Sequence, residues 1–236
     1  MNDSRGSIGF DIDGTLKNFE LFVLKNGVSY FKNFSNFAFE QKNLKGYDLD
    51  QVYDLKNQFF KCGFYPEQAE IETEKTLSSF WNIYYLKYCF FTPFRDGARE
   101  FITDLYKDGY KIDIYTSRKK TCENSLLGSF VRFSTKMQFV MNDTPYTTIN
   151  FFENDDDKIE GILTAKPIIM VDDKPEILQP ISKEIDCICV NSSYNCDYSF
   201  PSNVNRIDEF DLSVRSFIDQ AEKNKLYILN NRRGKL

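Results

Sequence analysis

The chain has 236 residues, enough for one sizeable domain or for a core domain with a smaller insertion. Hydrophobic residues at 42% and aromatics at 16% support a packed core and exclude global disorder. A net charge of −5 excludes the basic excess that a nucleic acid polymer would call for, but not one phosphorylated small molecule.

The first strand is predicted at Ser7–Phe10, ending at "DIDGT", which sets Asp11 and Asp13 ahead of a glycine. From Lys17 to Thr92 the chain is rich in Phe, Tyr, Asn and Lys, with glycines at 27, 46 and 63. Its end, "LSSFWNIYYLKYCFF", repeats Leu77, Phe80, Trp81, Tyr84, Tyr85 and Tyr88 at helical spacing. A mostly helical segment with a wide aromatic face is predicted there, with most of the rings in its own core. After Pro93 strands and helices alternate. "DGAREFITDLYKDGY" predicts a helix closed by Gly109, and "KIDIY" a strand that stops at Thr116, Ser117 and Arg118. A weakly patterned helix is expected over 120–130, then a short strand at "MQFVM". "DDDKIEGILTAK" predicts a helix whose N-terminus is marked by Asp155, Asp156 and Asp157. "PIIMV" is an apolar strand that stops at Asp172 and Asp173, "EILQPISKEI" a helix broken by Pro180, and "CICVN" another strand. "DEFDLSVRSFIDQAEKN" is a last helix, and "NNRRGKL" a basic tail expected to be disordered.

Alternation of this kind, without tight hairpin signals, predicts an α/β core with a parallel sheet. Ligands of such sheets sit beyond the carboxyl ends of the strands, at the switch in strand order. Three predicted strands end in residues fit for chemistry: Asp11 and Asp13, Thr116 and Ser117, Asp172 and Asp173. The chain has no histidine, so acid–base work falls to carboxylates. Its six cysteines form no C-x-x-C pair and no zinc spacing, and read as reduced thiols, with Cys187 and Cys189 on a strand and one of them in the core. No apolar run approaches the ~18 residues of a membrane span, and "MNDSRGSIGF" lacks the pattern of an export signal. A cytoplasmic protein without a membrane partner is expected; a homodimer is left open.

A carboxylate at a strand end can attack phosphorus to form an acyl phosphate, which divides hydrolysis into two easier steps. Both groups are anionic, so a cation must lie between them, and Mg²⁺ held by carboxylates and carbonyls is the expected cofactor. Asp11 could be nucleophile and ligand together, with Asp13, Asp172 and Asp173 on the metal side. Asp13 could protonate the leaving oxygen and then deprotonate water, provided neighbouring carboxylates and burial raise its pKa. Thr116 and a lysine would hold the remaining phosphoryl oxygens, and Gly14 allows a tight turn.

The motifs "DIDGT", "IYTSR" and "IMVDDKPE", in this order and each after an apolar strand, resemble those of the haloacid-dehalogenase-type phosphohydrolases. The resemblance covers about residues 7–16 and 93–200. It implies a Rossmann-like three-layer parallel-sheet core with a helical cap inserted after the first strand. The expected division is a core of 1–16 and 93–225, a cap of 17–92 and a tail of 226–236. An aspartate at the position of Asp13 marks the phosphatases and phosphotransferases of that family. Lys158, where the family's lysine opens a helix, is preferred to Lys166 as the phosphate holder, with Ser117 beside Thr116. A closer resemblance is to the 5′(3′)-deoxyribonucleotidases, which implies a nucleoside monophosphate as substrate. By that analogy Phe19, Phe22 and Trp81 are candidates for a base pocket, with Arg118 as a substrate contact; cap core is an equal alternative for the three rings. Two rival expectations stand beside it: a phosphatase for a sugar phosphate or other small ester, and a non-catalytic phosphate-binding module.

Overall fold

Strand residues alternate between two apolar layers, and that alternation fixes the architecture. The computed structural model describes residues 5–118 and 121–233, with side chains as far as 225. The strands are β1 (Ser7–Phe10), β2 (Lys111–Thr116), β3 (Thr148–Phe151), β4 (Ile169–Asp172), β5 (Asp186–Val190) and β6 (Val204–Ile207). They form one parallel sheet in the order β3-β2-β1-β4-β5-β6. Chain order reverses between β1 and β4, so the sheet's switch point lies at the first strand.

Four helices fall in the segment after β1: α1 (Phe19–Asn33), α2 (Leu49–Tyr53), α3 (Leu55–Lys61) and α4 (Pro66–Phe91). The rest are α5 (Ala98–Lys107), α6 (Leu126–Met141), α7 (Asp155–Ala165), α8 (Pro175–Ile181) and α9 (Leu212–Arg233). One sheet face (Ile8, Phe10, Ile114, Val171, Ile188) packs against Ile102 and Leu105 of α5 and Val214 and Ile218 of α9. The alternate residues, Tyr115, Met170, Cys187 and Cys189, pack against Ile162 of α7 and Ile177, Leu178 and Ile181 of α8. Each such buried aliphatic side chain contributes about 1.5–3 kcal/mol. The result is the three-layer α/β sandwich expected from the alternation. Residues of α1–α4 form a separate aromatic cluster around Tyr30, Tyr53, Phe59, Phe80 and Tyr84. Among the described residues no helix is long and apolar enough to cross a membrane, and all six cysteines are free thiols.

Several local expectations are corrected. The helix predicted over 120–130 begins at Leu126, after Ser125, whose hydroxyl accepts from the Gly128 amide as N-cap; Lys120 lies outside the described residues. "MQFVM" is the last turn and a half of that helix rather than a strand. Its alternation misleads because Gln138 and Phe139 point inward together while Val140 and Met141 point outward. Helix α9 runs through Arg233, so 226–233, given to the tail, are helical, including 230–233 of the segment expected to be disordered; 234–236 lie outside the described residues. Strands β3 and β6 carry no clear sequence signal. β3 lies at the sheet edge with no fully buried residue, and β6 buries two residues, Val204 and Ile207.

Candidate active site

The carboxyl ends of β2, β1 and β4, adjacent at the middle of the sheet, bring the predicted residues together. Asp11 leaves β1 with its amide donating to Val171 O (2.9 Å), which aligns it with the end of β4. Lys158, four residues into α7, reaches back with its buried ammonium between two carboxylates. Its Nζ donates to Asp11 Oδ1 at 2.6 Å and Asp172 Oδ2 at 2.7 Å. Burial alone would lower the Lys158 pKa, but the two carboxylates outweigh it and hold the ammonium charged. Lys166, the alternative, projects outward to Glu184 with 61% of its side chain exposed.

Asp172 is fully satisfied: Lys158 takes one oxygen, and the amides of Asp173 (2.8 Å) and Lys174 (2.9 Å) donate to the other. Asp173 meets only hydroxyls, Thr15 Oγ1 at 2.8 Å and the Tyr194 phenol, while Asn195 Nδ2 donates to its backbone carbonyl (2.7 Å). Burial, then the charge of Asp172, push the Asp173 carboxyl up to about 7. Asp11 is likewise raised, by burial first; Lys158 opposes the rise, and Asp172, Asp173 and Asp13 add to it. Three buried carboxylates around one ammonium leave negative charge uncompensated. Asp11, Asp172 and Asp173 each present an oxygen within 4.8 Å of the others. Hard oxygen donors with surplus negative charge fit Mg²⁺.

The Asp13 side chain does not join that cluster of carboxylate oxygens. Arg118 grips it with Nε to Oδ2 and Nη2 to Oδ1, both 2.6 Å, and the Tyr88 hydroxyl donates to Oδ1 at 2.5 Å. Burial pushes its carboxyl up, but the Arg118 charge and hydrogen bonds, with Tyr88, bring it below the usual range. The expected raised pKa is thus reversed, because the near neighbour is a guanidinium rather than another carboxylate. Thr116 is buried at the end of β2, and among the described residues its hydroxyl makes no hydrogen bond. The Ser117 hydroxyl is turned to Asp155, which also accepts from Lys174 Nζ at 3.0 Å, so its side chain is committed to α7.

The aromatic candidates divide. Phe22 is buried in the cluster of α1–α4. Phe19 stacks on Tyr47 (4.8 Å between centroids) and on Trp81 (5.6 Å), and both it and Trp81 are partly buried. Sequence reading missed the tyrosines around the carboxylates: Tyr88, Tyr47, whose hydroxyl donates to Asp13 O (3.3 Å), and Tyr194, edge-on to Tyr47 at 5.0 Å. The composition, with 14 tyrosines, hides these three among the rest. Arg95, which donates to Gly14 O at 3.1 and 2.7 Å, lies beside "TPF" and carries no motif of its own.

No family model and no curated protein sequence matches the chain. Solved structures do. A haloacid dehalogenase-like hydrolase from Streptococcus pneumoniae superposes with a TM-score of 0.59 at 14% identity, covering 90% of this chain and 97% of the other. A β-phosphoglucomutase from Clostridium difficile gives 0.58 at 11% identity, covering 94% and 99%. The chain has the fold of the haloacid dehalogenase-like hydrolases. The protein tyrosine kinase A of Mycobacterium tuberculosis also superposes, at 0.59 and 15% identity over 92% and 99%. The haloacid dehalogenase-like fold therefore hosts more than one reaction, and the site must carry the function.

Proposed function

We propose that the chain is a Mg²⁺-dependent phosphomonoesterase that forms an aspartyl phosphate on Asp11. The observation that carries this reading is Lys158 held between Asp11 and Asp172, with Asp173 beside them and Asp13 two residues on. Lys158 occupies Asp11 Oδ1, which leaves Oδ2 to attack phosphorus. As the new oxygen–phosphorus bond forms, the bond to the leaving oxygen breaks and Asp13 supplies its proton. Water then attacks the phosphorus of the aspartyl phosphate, Asp13 takes the water's proton, and the bond to Asp11 breaks to release phosphate. Lys158 and the Thr116 hydroxyl hold the other phosphoryl oxygens. Asp11 and Asp173 would hold the metal, since Asp172 is already satisfied; when bound, Mg²⁺ supplies the positive charge that lets a phosphate dianion approach a carboxylate. Asp13 works as the acid in this scheme only after Arg118 yields one of its oxygens and that oxygen takes a proton from solvent. Residues 17–92, whose Tyr47 and Tyr88 cover Asp13, act as the cap that excludes water.

A nucleoside monophosphate remains the finer reading, supported by the partly buried Phe19–Trp81 stack. One observation favours the alternative of a sugar phosphate or other small ester. A base sandwiched between two rings needs them about 7 Å apart, twice the ~3.5 Å carbon contact distance, and these rings already touch. Among the similar folds, one is named a phosphoglucomutase. The test is a panel of nucleotides and sugar phosphates assayed with and without Mg²⁺. Asp11→Asn is expected to lose at least roughly 10⁴-fold in turnover while remaining folded. Turnover retained in that variant overturns the aspartyl-phosphate mechanism. Mg²⁺ binding with no turnover on any substrate favours a phosphate-binding module.

A further inference from the structure

Helix α6 carries an unusual share of polar groups inward and of apolar ones outward. Ser134, Thr135 and Gln138 are buried beside Val131 and Phe139. Ser134 meets the Tyr85 hydroxyl at 2.9 Å, while Arg118 donates to Thr135 Oγ1 at 3.0 Å and Gln138 Oε1 at 3.4 Å. The need to solvate a buried guanidinium decides which face looks inward. The outward face carries Leu126, Phe130, Phe133, Met137 and Val140, spaced by four, three, four and three residues. Leu126 is 92%, Phe133 57% and Val140 62% exposed. This spacing belongs to the seam between two packed helices, where the stripe stays in register with a partner of the same pitch.

Leu127 and Met141, 46% and 54% exposed, flank this face, so it forms a patch on the scale of the largest on a typical monomer, ~300–600 Å². Such a patch is a large part of the ~800 Å² that each partner gives to a standard interface. We propose that α6 is the contact helix of a homodimer, in which two copies pack their α6 seams across a twofold axis. The seam carries no charge along its length, so it asks for no complementary charge and fits its own copy under a twofold. A bilayer is the poorer occupant. An interfacial membrane helix keeps a row of basic residues free for headgroups, whereas α6 has two, Lys136, which is exposed, and Arg132, which is folded back onto the carbonyls of Thr121 and Glu123. The chain's net charge of −5 also opposes an anionic surface. The inference is independent of the phosphatase reading.

The experiment is light scattering and sedimentation velocity of the full chain at micromolar concentration. The proposal predicts twice the 27.7 kDa chain mass for the wild type, and one chain mass for Phe133→Glu and, separately, for Val140→Lys. Both sites are exposed, so circular dichroism and thermal midpoints should match the wild type. A wild type that is monomeric throughout overturns the proposal, as does a dimer that survives both substitutions. A monomer that co-sediments with phosphatidylcholine–phosphatidylserine vesicles, and loses this in Phe133→Glu, overturns it in favour of a membrane surface.

Discussion

Arg118 and Asp13 hold each other by two hydrogen bonds of 2.6 Å, with side chains only 9% and 18% exposed. Removing one partner strands the other in a site poor in water, at a cost of about 3–5 kcal/mol. Arg118→Ala should therefore lower the urea midpoint strongly, and Arg118→Ala with Asp13→Asn should recover most of the loss. No recovery would mean that the guanidinium acts through packing instead. Lys17 is the other cation out of place. Its ammonium is buried against Tyr88 O and Cys89 O, both at 2.9 Å, with no carboxylate in contact among the described residues. Burial, then the charge of Arg118, push its pKa down to about 7 from 10.5. Between those values the unfolded chain binds the proton and the folded chain does not, so folding stability gains with rising pH across that window. Lys17→Met should flatten this part of the stability profile; identical slopes in the two proteins would refute the assignment.

The turn after β1 shows how an element imposes conditions on single residues. Gly14 adopts φ +99°, and a Cβ there would lie 1.7 Å from Asp173 Oδ2. Gly14→Ala combines a left-handed strain of about 1–2 kcal/mol with displacement of Asp173. Weaker Mg²⁺ binding, read by titration calorimetry, should accompany lower stability, and wild-type affinity would show that the turn can open. The sequence disclosed these elements where one face or one end was chemically distinct. Strands β1, β2 and β4 are apolar runs that stop at Asp or Thr, and Lys158 follows an acidic helix start, so the trio and its lysine were legible. Helix α6 was legible only at its first residues, because "MQFVM" at its end alternates like a strand. Tyr88 and Tyr194 were hidden for another reason. Each acts through one hydroxyl brought across the fold, and no local pattern marks that.

Across the molecule, residues 17–92 and the sheet are joined around the site rather than beside it. Glu20 accepts from the Ser193 amide (3.0 Å) and hydroxyl, Tyr47 reaches Asp13, and Lys17 fastens the end of α4. A cation drawn to the three carboxylates should stabilise this whole body, by about 2.7 kcal/mol at a hundredfold excess over its Kd. Thermal melts with and without Mg²⁺ should differ accordingly, and Asp173→Asn should abolish the difference; an equal shift in that variant would place the ion elsewhere. The sheet order carries a consequence for how the protein is made. The strand bearing Asp11 is the first to be synthesised, yet its neighbours begin at Lys111 and Ile169. It must wait, unpaired on both edges, for most of the chain to follow, and then enter the middle of a sheet through contacts distant in sequence. Such high contact order slows folding and leaves an apolar strand open to aggregation or chaperone capture in the interval. Asp11, the proposed nucleophile, is thus made early and gains its neighbours Asp172 and Lys158 late.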